Sequence, residues 1–85
     1  MNIVLVYGKI VSEVEFKFML SKKHISITVF YIELSNKSIV KIKAYDNMAD
    51  KCYRQLEKGN NIAIEGKLMN ECIILNDFEI EHSYG

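Results

Sequence analysis

The sequence contains no proline and no tryptophan, and it has only two cysteines and four glycines. Two cysteines in 85 residues make no disulfide scaffold, so a reducing, cytoplasmic setting is expected. The glycines, at 8, 59, 66 and 85, are too scattered to form a phosphate-cradling loop. No apolar run approaches the roughly 20 residues of a membrane-spanning helix, and no signal-like pattern opens the chain, so no membrane partner is expected. An excess of one charge sign is also missing, because eleven basic residues face eleven acidic ones. What is present is a chain with 49% hydrophobic residues, too apolar for disorder and of a length for one domain over residues 1–85. A domain this small buries only about 60–65% of its unfolded surface, so its core must be compact.

Zero net charge argues against a nucleic-acid partner only if the charges are evenly spread. They are not. Residues 1–70 hold all eleven basic residues and seven acids, a balance of +4, whereas residues 71–85 hold Glu71, Asp77, Glu79 and Glu81 with no Lys or Arg, a balance of −4. A binding footprint depends on where charge sits rather than on its sum.

The hydropathy pattern is that of a small β protein. Ile3 to Ile10 is β-prone, broken by Gly8, and Ile25 to Leu34 is a second such run. In that run Ile25, Ile27, Val29 and Tyr31 share one face and Phe30, Ile32 and Leu34 the other, so the apolar parity switches near Val29–Tyr31. Such a switch marks a bulge or a strand changing partners. Asn36-Lys37 reads as a hairpin turn. Ile39 to Tyr45 alternates, with Val40, Ile42 and Ala44 on a core face and Ile39, Lys41, Lys43 and Tyr45 on the other. One helix is expected over about Met48 to Lys58, capped by Asp46 or Asn47 and stopped by Gly59, with Met48, Ala49, Cys52, Tyr53 and Leu56 as its apolar stripe. Ile62, Ile64 and Leu68 then alternate with Ala63, Glu65 and Lys67, Asn70-Glu71 turns the chain, and Cys72 to Ile80 forms the last strand. Three strands, a helix and two strands make an all-β plan: the five-stranded OB-fold barrel, with its helix between strands 3 and 4.

Chemistry follows from the third strand. A rigid row of two ammonium groups and a phenol ring, led by Ile39, supplies cations for phosphate and a flat face for bases, which is what sequence-tolerant single-strand binding needs. A second basic group, Lys17, Lys22, Lys23 and His24, is interleaved with Phe16 and Phe18 at one rim of that face. Catalysis finds no support, since no nucleophile has a base nearby. His24 and His82 are isolated, and Cys52 and Cys72 have none of the paired spacing of a zinc site. The chain is read as no enzyme, with no metal and no cofactor.

Three stretches resemble the bacterial single-stranded-DNA-binding proteins. They are Ile3 to Ile10 with its Gly8-Lys9, the segment Glu13-Val14-Glu15-Phe16-Lys17-Phe18, and Val40 to Leu68 with its Leu56-Glu57-Lys58-Gly59 and Glu65-Gly66-Lys67-Leu68. The resemblance implies an OB-fold that binds single-stranded DNA in replication, repair or recombination. It also implies a homo-oligomer, dimer or tetramer, assembled partly through the first strand. It places Tyr45 on a stacking aromatic, Lys41 on a basic position, Lys17 and Phe18 on an Arg-aromatic pair and Lys9 on a polar or basic position. The site expected from this reading centres on Lys41, Lys43 and Tyr45, lined by Lys17, Phe18, Lys9 and Lys67. Two further stacking positions fall on Ile39 and Ile73, proline is replaced by Val14, and the hairpin after strand four is short. The sequence shows no glycine-rich region and no acidic tip, so recruitment of replication or repair proteins by that route is not expected. The trimmed form also resembles the small primosomal replication protein of the same fold. The alternative is therefore an OB-fold interaction or oligomerisation module with weak or lost nucleic-acid binding. RNA is a further option, because a single strand of either kind offers bases and phosphates.

Overall fold

In a computed structural model, residues 2–20 and 25–82 are described. The elements are β1 (Val4–Ile10), β2 (Glu15–Met19), β3 (Ile25–Leu34), β4 (Ile39–Tyr45), α1 (Asp46–Gln55), β5 (Asn61–Met69) and β6 (Cys72–Glu81). Neighbouring strands run β1-β5-β6-β4-β3, and β3 pairs back onto β1, so five strands close a barrel. This is the expected five-stranded OB-fold. β2 lies outside the ring, paired to β3, and because it counts separately the helix falls between β4 and β5.

The parity switch in β3 is a change of partner. On one edge of β3, Ile25 to Val29 pair with β2, while Ile32 to Leu34 pair with β1. Thr28, Phe30 and Ile32 face the core on a single uninterrupted strand. Phe16 to Phe18, read from sequence as a rim between two strands, belongs to this edge strand β2.

Ile10, Phe30, Ile32, Ile42, Ile62 and Ile64 fill the barrel and are almost wholly buried. The helix closes one end with Ala49, Cys52 and Leu56, and the Thr28 hydroxyl donates to the Ala49 carbonyl at 2.8 Å, which pins helix to barrel. Burial and desolvation push the Cys52 thiol up to about 12, partly offset by the Lys51 charge, so it behaves as a small core hydrophobe.

The helix spans Asp46–Gln55 rather than Met48–Lys58. Neither Asp46 nor Asn47 caps it; Tyr45 stands at the N-cap without a side-chain capping bond. Asp46 takes φ 54°, turning the chain from β4 into the helix, and its carboxylate lies in the first turn, where the helix dipole favours negative charge. The helix ends early because Leu56 becomes extended to bury its side chain. Gly59 belongs to the next turn, at φ 98°, and donates to the Ile10 carbonyl at 2.8 Å. Tyr53 leaves the apolar stripe and is exposed, its ring 5.2 Å from that of Phe16. Leu68 keeps the core-side parity of Ile62 and Ile64 but is exposed, because β5 outruns the packed interior.

Asn70 and Glu71 form the two-residue turn between Met69 and Cys72, both at positive φ, as a tight hairpin requires. The β5–β6 register shifts between Glu65 and Gly66. A Cβ on Gly66 would run into the Ile74 carbonyl oxygen, so the two strands approach closely there.

Candidate nucleic-acid interface

Successive residues of a strand point to opposite faces, so the pairing register fixes which side chains share a wall. Along β4, Ile42 and Ala44 are buried, which turns Ile39, Lys41, Lys43 and Tyr45 outward. Their partners on β3 are Glu33, Tyr31, Val29 and Ile27 respectively. On β2, Glu15 stands opposite Val29 and Lys17 opposite Ile27. On the other side of β4, Lys43 pairs with Ile74, which pairs in turn with Lys67 on β5. One row thus runs Glu15, Val29, Lys43, Ile74, Lys67, and the next runs Lys17, Ile27, Tyr45.

The wall therefore brings together Lys17, Ile39, Lys41, Lys43, Tyr45 and Lys67. It adds Tyr31, which sequence reasoning left out. Tyr31 is 38% exposed and Tyr45 37% exposed, so both side chains are open to solvent. The signal for Tyr31 was the parity switch itself, which sets its ring apart from the neighbouring buried Phe30. A hollow of about 370 Å³ opens beside Tyr31, bordered by Ser12, Glu13, Glu15, Lys17 and Lys41. The Tyr31 backbone N–H donates to the Ser12 hydroxyl at 2.8 Å, which anchors the chain between β1 and β2 against β3.

Three expected residues fall elsewhere. Phe18 occupies β2 beside Lys17, but adjacent strand residues point to opposite faces, so it lies on the Ser26 and Thr28 side with Phe16, toward the helix. Lys9 lies at the margin, between Glu33 and Asn61 and in one row with Ile39. Ile73, aligned by spacing with a stacking position, is 3% exposed and packs in the core, because it pairs with buried Ile42, while Cys72 and Ile74 pair with Lys41 and Lys43. Lys22, Lys23 and His24 lie outside the described residues.

A second wall, β1–β5–β6, has the opposite character. Leu5, Tyr7 and Ala63 form an exposed apolar strip flanked by Glu65, Asp77 and Glu79, and the Tyr7 hydroxyl donates to the Glu81 carboxylate. Asp77, Glu79 and Glu81 of the acidic C-terminal segment thus gather on one wall, and Lys17, Lys41, Lys43 and Lys67 on the other, where Glu15 and Glu33 also stand. This separation is how a chain of zero net charge can carry a cationic surface. Among the described residues no group of three or more His, Cys, Asp or Glu side chains could hold a metal ion, and no helix is long and apolar enough to cross a membrane.

No family model and no curated protein matches the sequence. Solved structures do match the fold. The single-stranded DNA binding protein from Thermus aquaticus superposes with a TM-score of 0.87 at 13% identity, covering 100% of this chain and 42% of that one. A deletion mutant of the same protein gives the same TM-score and identity. An SSB domain from Synechococcus sp. superposes at 0.82 and 11% identity, over 92% of this chain and 93% of that one. This chain therefore spans less than half of the Thermus aquaticus protein, and at such identities the likeness is one of fold.

Proposed function

We propose that this chain is a non-enzymatic module that holds single-stranded DNA across the wall centred on Lys41, Lys43 and Tyr45, acting in replication, repair or recombination in the cytoplasm. The observation that carries the reading is the convergence of four lysines from β2, β4 and β5 with two exposed tyrosine rings on one rigid face. Lysines neutralise phosphates and release counterions, and each ring gives a base a platform of any sequence. That the structural neighbours are described as single-stranded DNA binding proteins supports the same reading.

The test is fluorescence anisotropy with a labelled oligo-dT of about 30 nucleotides, set against a matched duplex at two salt concentrations. Salt-sensitive binding is expected for the single strand and much weaker binding for the duplex. Tyr45→Ala should weaken the single-strand complex by about 1–3 kcal/mol. An unchanged affinity in a folded variant would remove Tyr45 from the site. Failure of wild-type protein to bind at low salt would move the function to protein interaction, where Ile39, 54% exposed, is the leading contact.

A second copy of the chain is the partner proposed for β1. Its residues Val4 to Tyr7 pair with β5 on one edge, whereas pairing to β3 begins at Gly8, and Leu5 is 76% exposed. An apolar strip beside an unpaired strand edge is a site that proteins generally cover. Sedimentation should find a dimer or tetramer that Leu5→Asp converts to monomer. A wild-type monomer at micromolar concentration would discard this partner.

A further inference from the structure

The hollow beside Tyr31 contains something a purely sequence-tolerant surface has no use for. Two carboxylates, Glu13 and Glu15, border it together with Lys17 and Lys41. Among the described residues the one ion pair is Lys37 with Glu33, at 4.0 Å, so neither Glu13 nor Glu15 is held in an ion pair by the lysines that share the hollow. A carboxylate on a phosphate path weakens binding through repulsion, unless it accepts hydrogen bonds from the strand itself. The Ser12 hydroxyl, by contrast, is already engaged by the Tyr31 N–H and the Glu13 carbonyl.

We propose that this hollow seats one base of the bound strand and selects guanine over thymine; the proposal rests on the single-strand reading above. Tyr31 supplies the stacking face over the Val29 floor, and Lys17 and Lys41 hold the flanking phosphates. A single strand leaves its Watson–Crick edges open to side chains. Guanine presents two adjacent donors there, N1–H and the N2 amine, which match the two oxygens of one carboxylate. Thymine presents one N–H between two carbonyl oxygens, and those oxygens repel a carboxylate. Cytosine and adenine offer one amine beside a ring-nitrogen acceptor and fall between. Hydrogen bonds to an ionised acceptor are the strong ones, and a good two-point contact to a base edge discriminates well.

The experiment compares oligo-dT with a TTG repeat of equal length by anisotropy, both about 30 nucleotides long. The repeat should bind at least about fivefold more tightly. Replacing its guanines by inosine, which lacks the N2 amine, should remove most of that gain. Glu15→Gln or Glu13→Gln should bring the ratio of the two affinities close to one, because an amide cannot offer the same pair of acceptors. Equal affinity of wild-type protein for both oligonucleotides would overturn the base selection while leaving single-strand binding standing. A preference that survives both substitutions would also overturn it. Binding to neither oligonucleotide would remove the parent reading and the inference with it.

Discussion

Reversing Lys41 and Lys43 together to glutamate should cost at least about a hundredfold in affinity for oligo-dT at 50 mM salt. For a single strand the logarithm of the binding constant falls with slope about −0.7 per phosphate contact, so at that salt each contact is worth roughly tenfold through counterion release. Both lysines project from the middle of β4, with Tyr31 and Val29 beside them on β3 and Cys72 and Ile74 on β6. A strand crossing this wall cannot avoid them. Among the described residues neither lysine takes part in an ion pair, so their removal strands no described partner, and circular dichroism should show an intact barrel. The salt slope should also become shallower by about 1.4. A double variant that binds like the wild type would send the strand to a different wall.

Phe30→Ala should have the largest effect on the fold. Phe30 is wholly buried at the centre of β3, the strand that pairs with β1, β2 and β4. Emptying such a site costs about 3–5 kcal/mol, from lost burial and from the cavity left behind. Small domains have only about 5–15 kcal/mol in total, so the variant should melt on the order of 15 °C or more below the wild type. Its neighbours Ile32 and Ile42 sit on strands fixed by ladder hydrogen bonds and cannot collapse far into the gap. A loss under about 1 kcal/mol would mean that the interior repacks freely.

Local signals told the truth where one residue type can satisfy only one environment. Val40, Ile42 and Ala44 alternate with Lys41 and Lys43, and a slip of one residue would turn both lysines into the core. Asn70-Glu71 marked its turn because a two-residue hairpin needs positive φ at both central positions. Reading failed where position depends on a partner. Ile73 looked like a surface position by counting along the hairpin, but parallel pairing of β6 with β4 and the shift at Gly66 decide which of its residues turn inward. The resemblance set Lys17 and Phe18 on an Arg-aromatic pair, and on β2 the two point to opposite faces, Lys17 across from Ile27 and Phe18 across from Ser26. The helix boundaries followed tertiary demand at Leu56 rather than glycine at 59. Tyr31 was legible as a break in pattern, but its meaning appears only with Lys41 across from it.

The closure of the barrel through β6 has a consequence for how the protein is made. β6 is the last strand of the ring, and it is the one that joins β5 to β4. Until it has left the ribosome, β4 and β5 each carry an unsatisfied edge, and Ile42, Ile62 and Ile64 lack their lid. Unpaired edges with apolar faces are the usual route to misassembly. The nascent chain thus passes through a stage in which β1 to β5 exist but their interior has no seal. Synthesis that stalls before Cys72 leaves a product for chaperones or proteases rather than a smaller working barrel.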